Sequence, residues 1–203
     1  MTDLTFPETG PTVETHPLQP FIPENARLLM LGSFPPPRKR WSMDFFYPNY
    51  LNDMWRIFGL IVQHNPAAYL DPVAKTFCRE SIERMLTERH IALYDAAIRV
   101  NRLDGNASDA RLEILERTPL ADLLEQMPHC RAVASTGGRS AETIAEIIGC
   151  KTLPGIGEWT ETDFAGRRLR FYRMPSSSRA YPMKLEAKAA FYRDMLADLG
   201  LIP

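Results

Sequence analysis

The sequence is short of the residues that hold metals and redox cofactors. Its three cysteines, Cys78, Cys130 and Cys150, stand far apart and form no CxxC pair. That argues against a cysteine-ligated zinc or iron–sulfur site and fits the reduced thiols of a cytosolic protein. The four histidines, His16, His64, His90 and His129, fall at no ligand spacing, so neither a metal nor a cofactor is expected. There is no Walker A loop. Gly137-Gly138 is a glycine-rich turn without the dinucleotide fingerprint, which gives a nicotinamide or flavin role little support. No charge sign dominates, with 24 Lys+Arg against 25 Asp+Glu in 203 residues. Net charge therefore leaves a nucleic-acid partner open, and only local clustering bears on it. A secretory leader and any apolar run of about 18 residues are missing. A soluble, cytoplasmic protein with no membrane partner is the expectation. No internal repeat or low-complexity stretch stands out.

With 45% hydrophobic residues the chain can bury a substantial core, and its length suits one large domain. Residues 1–25 carry Pro7, Pro11, Pro17, Pro20 and Pro23 and read as an extended arm, since proline removes a donor and fixes φ. Residues 26–203 read as the domain proper. Four stretches have strand character: Leu28 to Leu31, His90 to Ala97, Cys130 to Thr136 and Arg168 to Met174. Helical spacing appears from Leu51 to Val62, Val73 to Glu88, Thr118 to Asp122, Ala141 to Ile148 and Met183 to Leu199, with Gly200 closing the last. Asn101 to Arg111 and Leu153 to Thr162 read as loops. Strands alternating with helices predict an α/β fold, a three-layer α/β/α sandwich around a central four-stranded parallel sheet. In such a sheet ligands bind beyond the carboxyl ends of the strands.

Two loops lie at such ends. After Leu31 come Gly32-Ser33 and Pro35-Pro36-Pro37, then Arg38-Lys39-Arg40, Trp41, Phe45-Phe46-Tyr47 and a turn at Pro48-Asn49. The basic triplet with Trp41 suits a nucleic-acid backbone and a stacked base, or is an ordinary solvated loop. Phe45-Phe46-Tyr47 suits a slot for a flat ring, or plain apolar packing. Asn52 is placed to read a base edge or orient a water, or to cap the following helix. After Met174 come Pro175-Ser176-Ser177-Ser178-Arg179. There, small hydroxyl residues and backbone N–H groups at a helix start suit a phosphate and Arg179 adds a charged contact, unless the run is simply a serine-rich cap. Asp95, at the end of the second strand, points toward the ligand crevice or serves the structure. Ser108-Asp109 reads as a turn or a cap. Leu153-Pro154-Gly155-Ile156-Gly157 matches the hairpin of helix-hairpin-helix DNA-binding proteins. The second helix that hairpin needs is missing from Asp163 to Met174, so the match is taken as accidental.

Taken together the loops resemble the uracil-DNA glycosylase superfamily. The first motif there is Gly-x-x-Pro after a strand, then an aromatic, then Asn before an aromatic that opens a helix. It is matched by Gly32-Ser33-Phe34-Pro35, Phe45-Phe46-Tyr47-Pro48 and Asn52-Asp53-Met54-Trp55. The second, a strand ending in Pro-Ser, is matched by Met174-Pro175-Ser176-Ser177-Ser178-Arg179-Ala180. Ala92-Leu93-Tyr94-Asp95 and Asn106-Ala107-Ser108-Asp109-Ala110 look like the middle of the hypoxanthine-DNA glycosylase branch, with mismatch-specific relatives more distant. The likeness runs from about Leu28 to Ala197.

By position, the resemblance implies that Gly32, Ser33, Phe34 and Pro35, with Pro36 and Pro37, form the wall beneath a flipped base. Phe46 or Tyr47 would stack on it or shape its slot. Asn52 would contact the base or place the water, and Asp95 would stand where other members keep a base-reading Asn. Ser176, Ser177, Ser178 and Arg179 would grip the phosphates, with Arg38, Lys39 and Arg40 as further DNA contacts. One departure matters. Many members carry Asp or Asn just before the first motif's proline, where this chain has Phe34, and a hydrocarbon cannot polarise water. Asn52 and Asp95 are left as the polar catalysts. The implied activity is metal-independent hydrolysis of the N-glycosidic bond of a flipped deaminated base, uracil or hypoxanthine, in base-excision repair of DNA, by a monomer. Two other readings stay open: a catalytically silent DNA-binding relative, which Phe34 favours, and an α/β protein binding a phosphorylated metabolite.

Overall fold

Unbroken apolar runs are what strands covered on both faces require. The structure, a computed structural model, describes residues 12–103 and 112–203. Strand β2 (Leu28–Gly32), β5 (Ile91–Asp95) and β8 (Ala132–Ser135) are buried at every position. Successive side chains of a strand point to opposite faces, so both faces are covered. These strands and β10 (Arg167–Arg173) are mutually parallel, in the order β5-β2-β8-β10. The expected parallel sheet is therefore present.

It has one strand more than expected. β9 (Trp159–Phe164) pairs antiparallel with β10 and makes a five-stranded sheet. Part of this strand falls in the stretch read as a loop, because its Thr160-Glu161-Thr162-Asp163 core lacks an apolar face. As an edge strand it needs none. Glu161 is held instead by Arg168 at 2.8 Å and Arg170 at 3.7 Å on the neighbouring strand. The 153–157 loop thus leads into a hairpin, not into a second helix.

Among the described residues five α-helices accompany the sheet: α1 (Met54–Gln63), α2 (Arg79–Glu88), α3 (Leu120–Glu125), α4 (Gly138–Ile148) and α5 (Leu185–Asp198). All five contribute to one continuous core with the sheet, including Trp55, Phe58, Ile82, Leu124, Ile144 and Tyr192. α2 starts later than the predicted Val73. Asp71 accepts the N–H groups of Val73 and Ala74, and this turn joins the two short strands β3 (Leu70–Asp71) and β4 (Thr76–Phe77).

A second, antiparallel sheet was not anticipated. It consists of β1 (Thr12–Thr15), β6 (Ala97–Arg102) and β7 (Leu112–Arg117), in the order β1-β6-β7. Asn101 and Arg102, read as the start of a loop, belong to β6. Ser108-Asp109 and the rest of Asn106 to Ala110 lie outside the described residues. The small sheet has its own core of Ala97, Val100 and Leu112 against Phe34. Residues 12–25 of the proline-rich segment are thereby given a path. β1 pairs with β6, the His16 N–H donates to Ile98 O at 2.8 Å, and Phe21 exchanges backbone hydrogen bonds with Leu93 at the open edge of β5. The buried Arg102 fastens this segment further, donating to both oxygens of Glu14 (2.7 and 3.2 Å) and to Pro35 O (2.9 Å).

Candidate active site

Parallel strands deliver their carboxyl ends to one edge of the sheet, and the order places the switch in connection direction between β2 and β8. A cavity of about 870 Å³ opens there. Its wall is assembled from every strand end: Gly32 to Pro36 and Phe45 to Asn49 after β2, Asp95 on β5, Thr136 to Arg139 after β8, and Ser176 to Ser178 after β10. Asn52, Arg40, Glu142, Ala180 to Pro182 and, from the N-terminal segment, Leu18 also line it. Of the candidate residues, Gly32, Ser33, Phe34, Pro35, Phe46, Tyr47, Asn52, Asp95, Arg40 and Ser176 to Ser178 line this one space. Arg38, Lys39 and Arg179 do not.

Asp95 is the buried acid of the wall, 7% exposed. It lies directly across from Gly32 in the parallel register, and only glycine admits it. A Cβ on Gly32 would stand 2.2 Å from Asp95 Oδ1. The other oxygen, Oδ2, is 2.8 Å from His16 Nε2. This imidazole is 1% exposed on its side chain and packs against Tyr94, Phe34 and Phe46. No spacing rule reaches across 79 residues. The available signal was Thr12-Val13-Glu14-Thr15-His16, a strand-prone run between Pro11 and Pro17.

Asn52 sits at the start of α1 and at the cavity wall. Its Oδ1 accepts the Met54 N–H at 2.9 Å. With one lone pair of that oxygen taken, Asn52 can offer a ligand its amide Nδ2–H and the remaining lone pair. Phe46 is buried beside Phe45, Tyr94 and His16, and its carbonyl accepts from Trp55 Nε1 at 3.2 Å. Tyr47 adopts a left-handed φ of 49° and its hydroxyl meets Thr136 Oγ1 at 2.9 Å. Phe34 has a structural task in place of a polar one. It reaches from the cavity wall into the core of the small sheet.

The serine loop is folded on itself and clamped. Ser176 Oγ accepts the Ser178 N–H at 3.2 Å, and Ser178 Oγ that of Ala180 at 3.3 Å. Ser177 is buried and its carbonyl accepts the Asp53 N–H at 2.9 Å. The fully buried Lys188 donates to Ser178 O at 2.7 Å and to Asp53 Oδ2 at 3.0 Å. Arg179, expected to face a phosphate, instead donates through Nε and Nη2 to Asp53 Oδ1, both at 3.2 Å. So Asp53 ties the two motif loops together. The Tyr192 hydroxyl adds a bond to Pro175 O at 2.9 Å, and complete burial pushes this phenol well above its ordinary pKa. The basic triplet forms a short 3₁₀ turn, Arg38–Arg40, exposed throughout. Arg38 pairs with Asp44 and lies 3.9 Å over the Trp41 ring.

Neither a protein-family model nor a curated protein sequence matches the chain. Among solved structures, it superposes on the solution NMR structure of a candidate uracil DNA glycosylase from Methanosarcina acetivorans. The TM-score is 0.61 at 18% identity, over 93% of this chain and 99% of that one. The two chains share a fold. Among the described residues no helix is long and apolar enough to cross a membrane, and no three His, Cys, Asp or Glu side chains are grouped to hold a metal ion.

Proposed function

We propose that this protein is a DNA glycosylase that hydrolyses the N-glycosidic bond of a flipped deaminated base, uracil or hypoxanthine, within the hypoxanthine-type branch of the uracil-DNA glycosylase superfamily. The observation that carries the reading is the pairing of the buried Asp95 carboxylate and the Asn52 amide in one aromatic-walled cavity at the carboxyl edge of a parallel sheet. The shared fold supports it.

A base inside the duplex hides its sugar C1′, so it must leave the stack, at a cost of a few kcal/mol that is least for a mismatched or damaged base. The cavity's flat walls, Phe46 and Tyr47, suit such a ring. Cleavage then builds positive charge on the sugar and negative charge on the departing base. Asp95 stabilises the first. Asn52 Nδ2–H, its Oδ1 being held by Met54, donates to the base oxygen that gathers the second. Asp95 Oδ1 is the acceptor available to an attacking water, a part Phe34 cannot play. Ser176 and the backbone of the clamped serine loop meet a flanking phosphate, and Arg38 and Lys39 outside the cavity, with Arg40 at its wall, hold the DNA backbone. A monomer acting on damaged or mismatched DNA suffices for this chemistry.

The test is incubation with labelled duplexes carrying uracil, hypoxanthine or xanthine, followed by alkali to cut at abasic sites. Cleavage of one substrate, lost in Asn52→Ala and Asp95→Asn, is the expected result and names the base. Salt-sensitive duplex binding without cleavage of any substrate would make the protein a silent relative, the reading Phe34 favours. Neither binding nor cleavage would refute the DNA assignment and leave the phosphorylated-metabolite reading.

A further inference from the structure

We infer that the N-terminal segment completes the active site, with His16 acting as the positioning residue for Asp95; this rests on the glycosylase reading of that site. His16 directly follows β1, ahead of the parallel sheet in the chain. β1 is fixed on β6 by register, and Glu14 is fixed by Arg102. Glu14 and His16 are two residues apart on extended backbone and so point to the same side. On that side Glu14 meets Arg102, and His16 meets Asp95 of the cavity wall.

The ring is held at both nitrogens. Nε2 lies 2.8 Å from Asp95 Oδ2. Nδ1 lies within reach of both the carbonyl (2.9 Å) and the N–H (3.2 Å) of Leu18, so the backbone accommodates either tautomer. Leu18 itself lines the cavity, whereas His16 sits behind Asp95, its imidazole 1% exposed. The imidazole therefore has no route to substrate. It acts through the carboxylate. With Oδ2 bonded to His16 and Oδ1 against the bare Cα of Gly32, the carboxylate has one orientation, and Oδ1 is the oxygen presented for chemistry. Packing against Tyr94, at 4.6 Å between ring centroids, and Phe34, at 5.5 Å, keeps the imidazole from rotating away. A carboxylate freed of this bond would swing on its χ angles, and misplacement of a reacting group by about 1 Å costs about 100-fold in rate.

The experiment compares single-turnover base release by the full-length protein with that of His16→Phe, which fills the same space without a hydrogen bond, and His16→Gln, whose side-chain amide can donate to Asp95. His16→Phe is expected to slow release about 100-fold with duplex affinity unchanged and with melting lowered, because it strips a partner from the buried Asp95, and His16→Gln to recover part of the lost rate. A purely structural role would lower melting without slowing base release by the folded protein. A wild-type protein that releases base, joined to a His16→Phe variant that is equally fast or a His16→Gln variant no faster than it, overturns the positioning role alone. A wild-type protein that releases no base overturns the glycosylase reading and this role with it. Should His16→Phe fail to fold, the His16 ring in the long-range ¹H–¹⁵N spectrum decides. Its Nε2 resonance is expected to shift in Asp95→Asn, and an unmoved resonance overturns the inference.

Discussion

Replacing Lys188 by Met should destabilise the fold far more than loss of a surface lysine. The ammonium is wholly buried and has two partners, Asp53 Oδ2 at 3.0 Å and Ser178 O at 2.7 Å. Met fills much the same volume, so little of the effect comes from packing. What remains is the Asp53 carboxylate, 6% exposed, with one of its oxygens stripped of its cation. Arg179 still holds the other oxygen, but its side chain is 50% exposed and the pair is correspondingly screened. Breaking a buried ion pair by removing one member costs about 3–5 kcal/mol. In a domain of this size each kcal/mol lowers Tm by about 2–4 °C, so a fall of roughly 6–20 °C is expected. Thermal and urea unfolding at neutral pH measure it. Asp53→Asn in the same background removes the stranded charge, so the double variant should be less destabilised than the two single losses summed, by about 0.5–3 kcal/mol. Unfolding indistinguishable from wild type, or strict additivity in the double variant, would refute the claim that this buried pair clamps the two loops.

Gly32→Ala puts a Cβ 2.2 Å from Asp95 Oδ1. It should cost about 1–3 kcal/mol of stability through overpacking and, if Asp95 is catalytic, about 100-fold in base release, measured by melting and single-turnover assays. Burial pushes the Cys130 thiol up to about 11, so at pH 8 an alkylating reagent should label the exposed Cys78 and spare Cys130 until the protein is unfolded. The same shift has a definite sign. The folded protein keeps a proton that the unfolded chain releases above about pH 9, so stability from this group is full below that pH and is lost as pH rises from about 9 to about 11. Neutralising Arg38, Lys39 and Arg40 together should weaken duplex binding alike for all sequences. The slope of log K against log salt should fall by about 0.9 for each phosphate that the variant leaves unneutralised, in titrations at several ionic strengths.

The parallel sheet was legible because the strands it buries on both faces must be apolar without interruption, as Leu28 to Leu31 and Ile91 to Leu93 are. Trp159–Phe164 was not, since an edge strand can satisfy its outward side chains with cross-strand ions such as Glu161 with Arg168. Ala97–Arg102 hid for another reason. A bulge shifts its register between Ala97 and Val100, so its buried positions keep neither period. The same division governs the site. Gly32, Asn52 and Asp95 sit at the ends of elements that pattern reveals, and the structure gathers all three about one cavity. What a carboxylate does there depends on partners that pattern does not reveal. Asp53 and Asp95 both stand close to the cavity's defining residues, one beside Asn52 and one opposite Gly32. Asp53 is consumed by cations 126 and 135 residues away in the chain, Arg179 and Lys188. Asp95 meets an imidazole 79 residues away that orients it and leaves its second oxygen facing glycine. Two acids alike in local sequence signal are thus sorted, by long-range partners alone, into a clamp and a candidate catalyst. The segment that sorts Asp95 looked like a proline-rich arm because Pro11 and Pro17 bracket it. Paired with β6, that segment runs extended, the backbone form that lets Glu14 and His16 reach inward together.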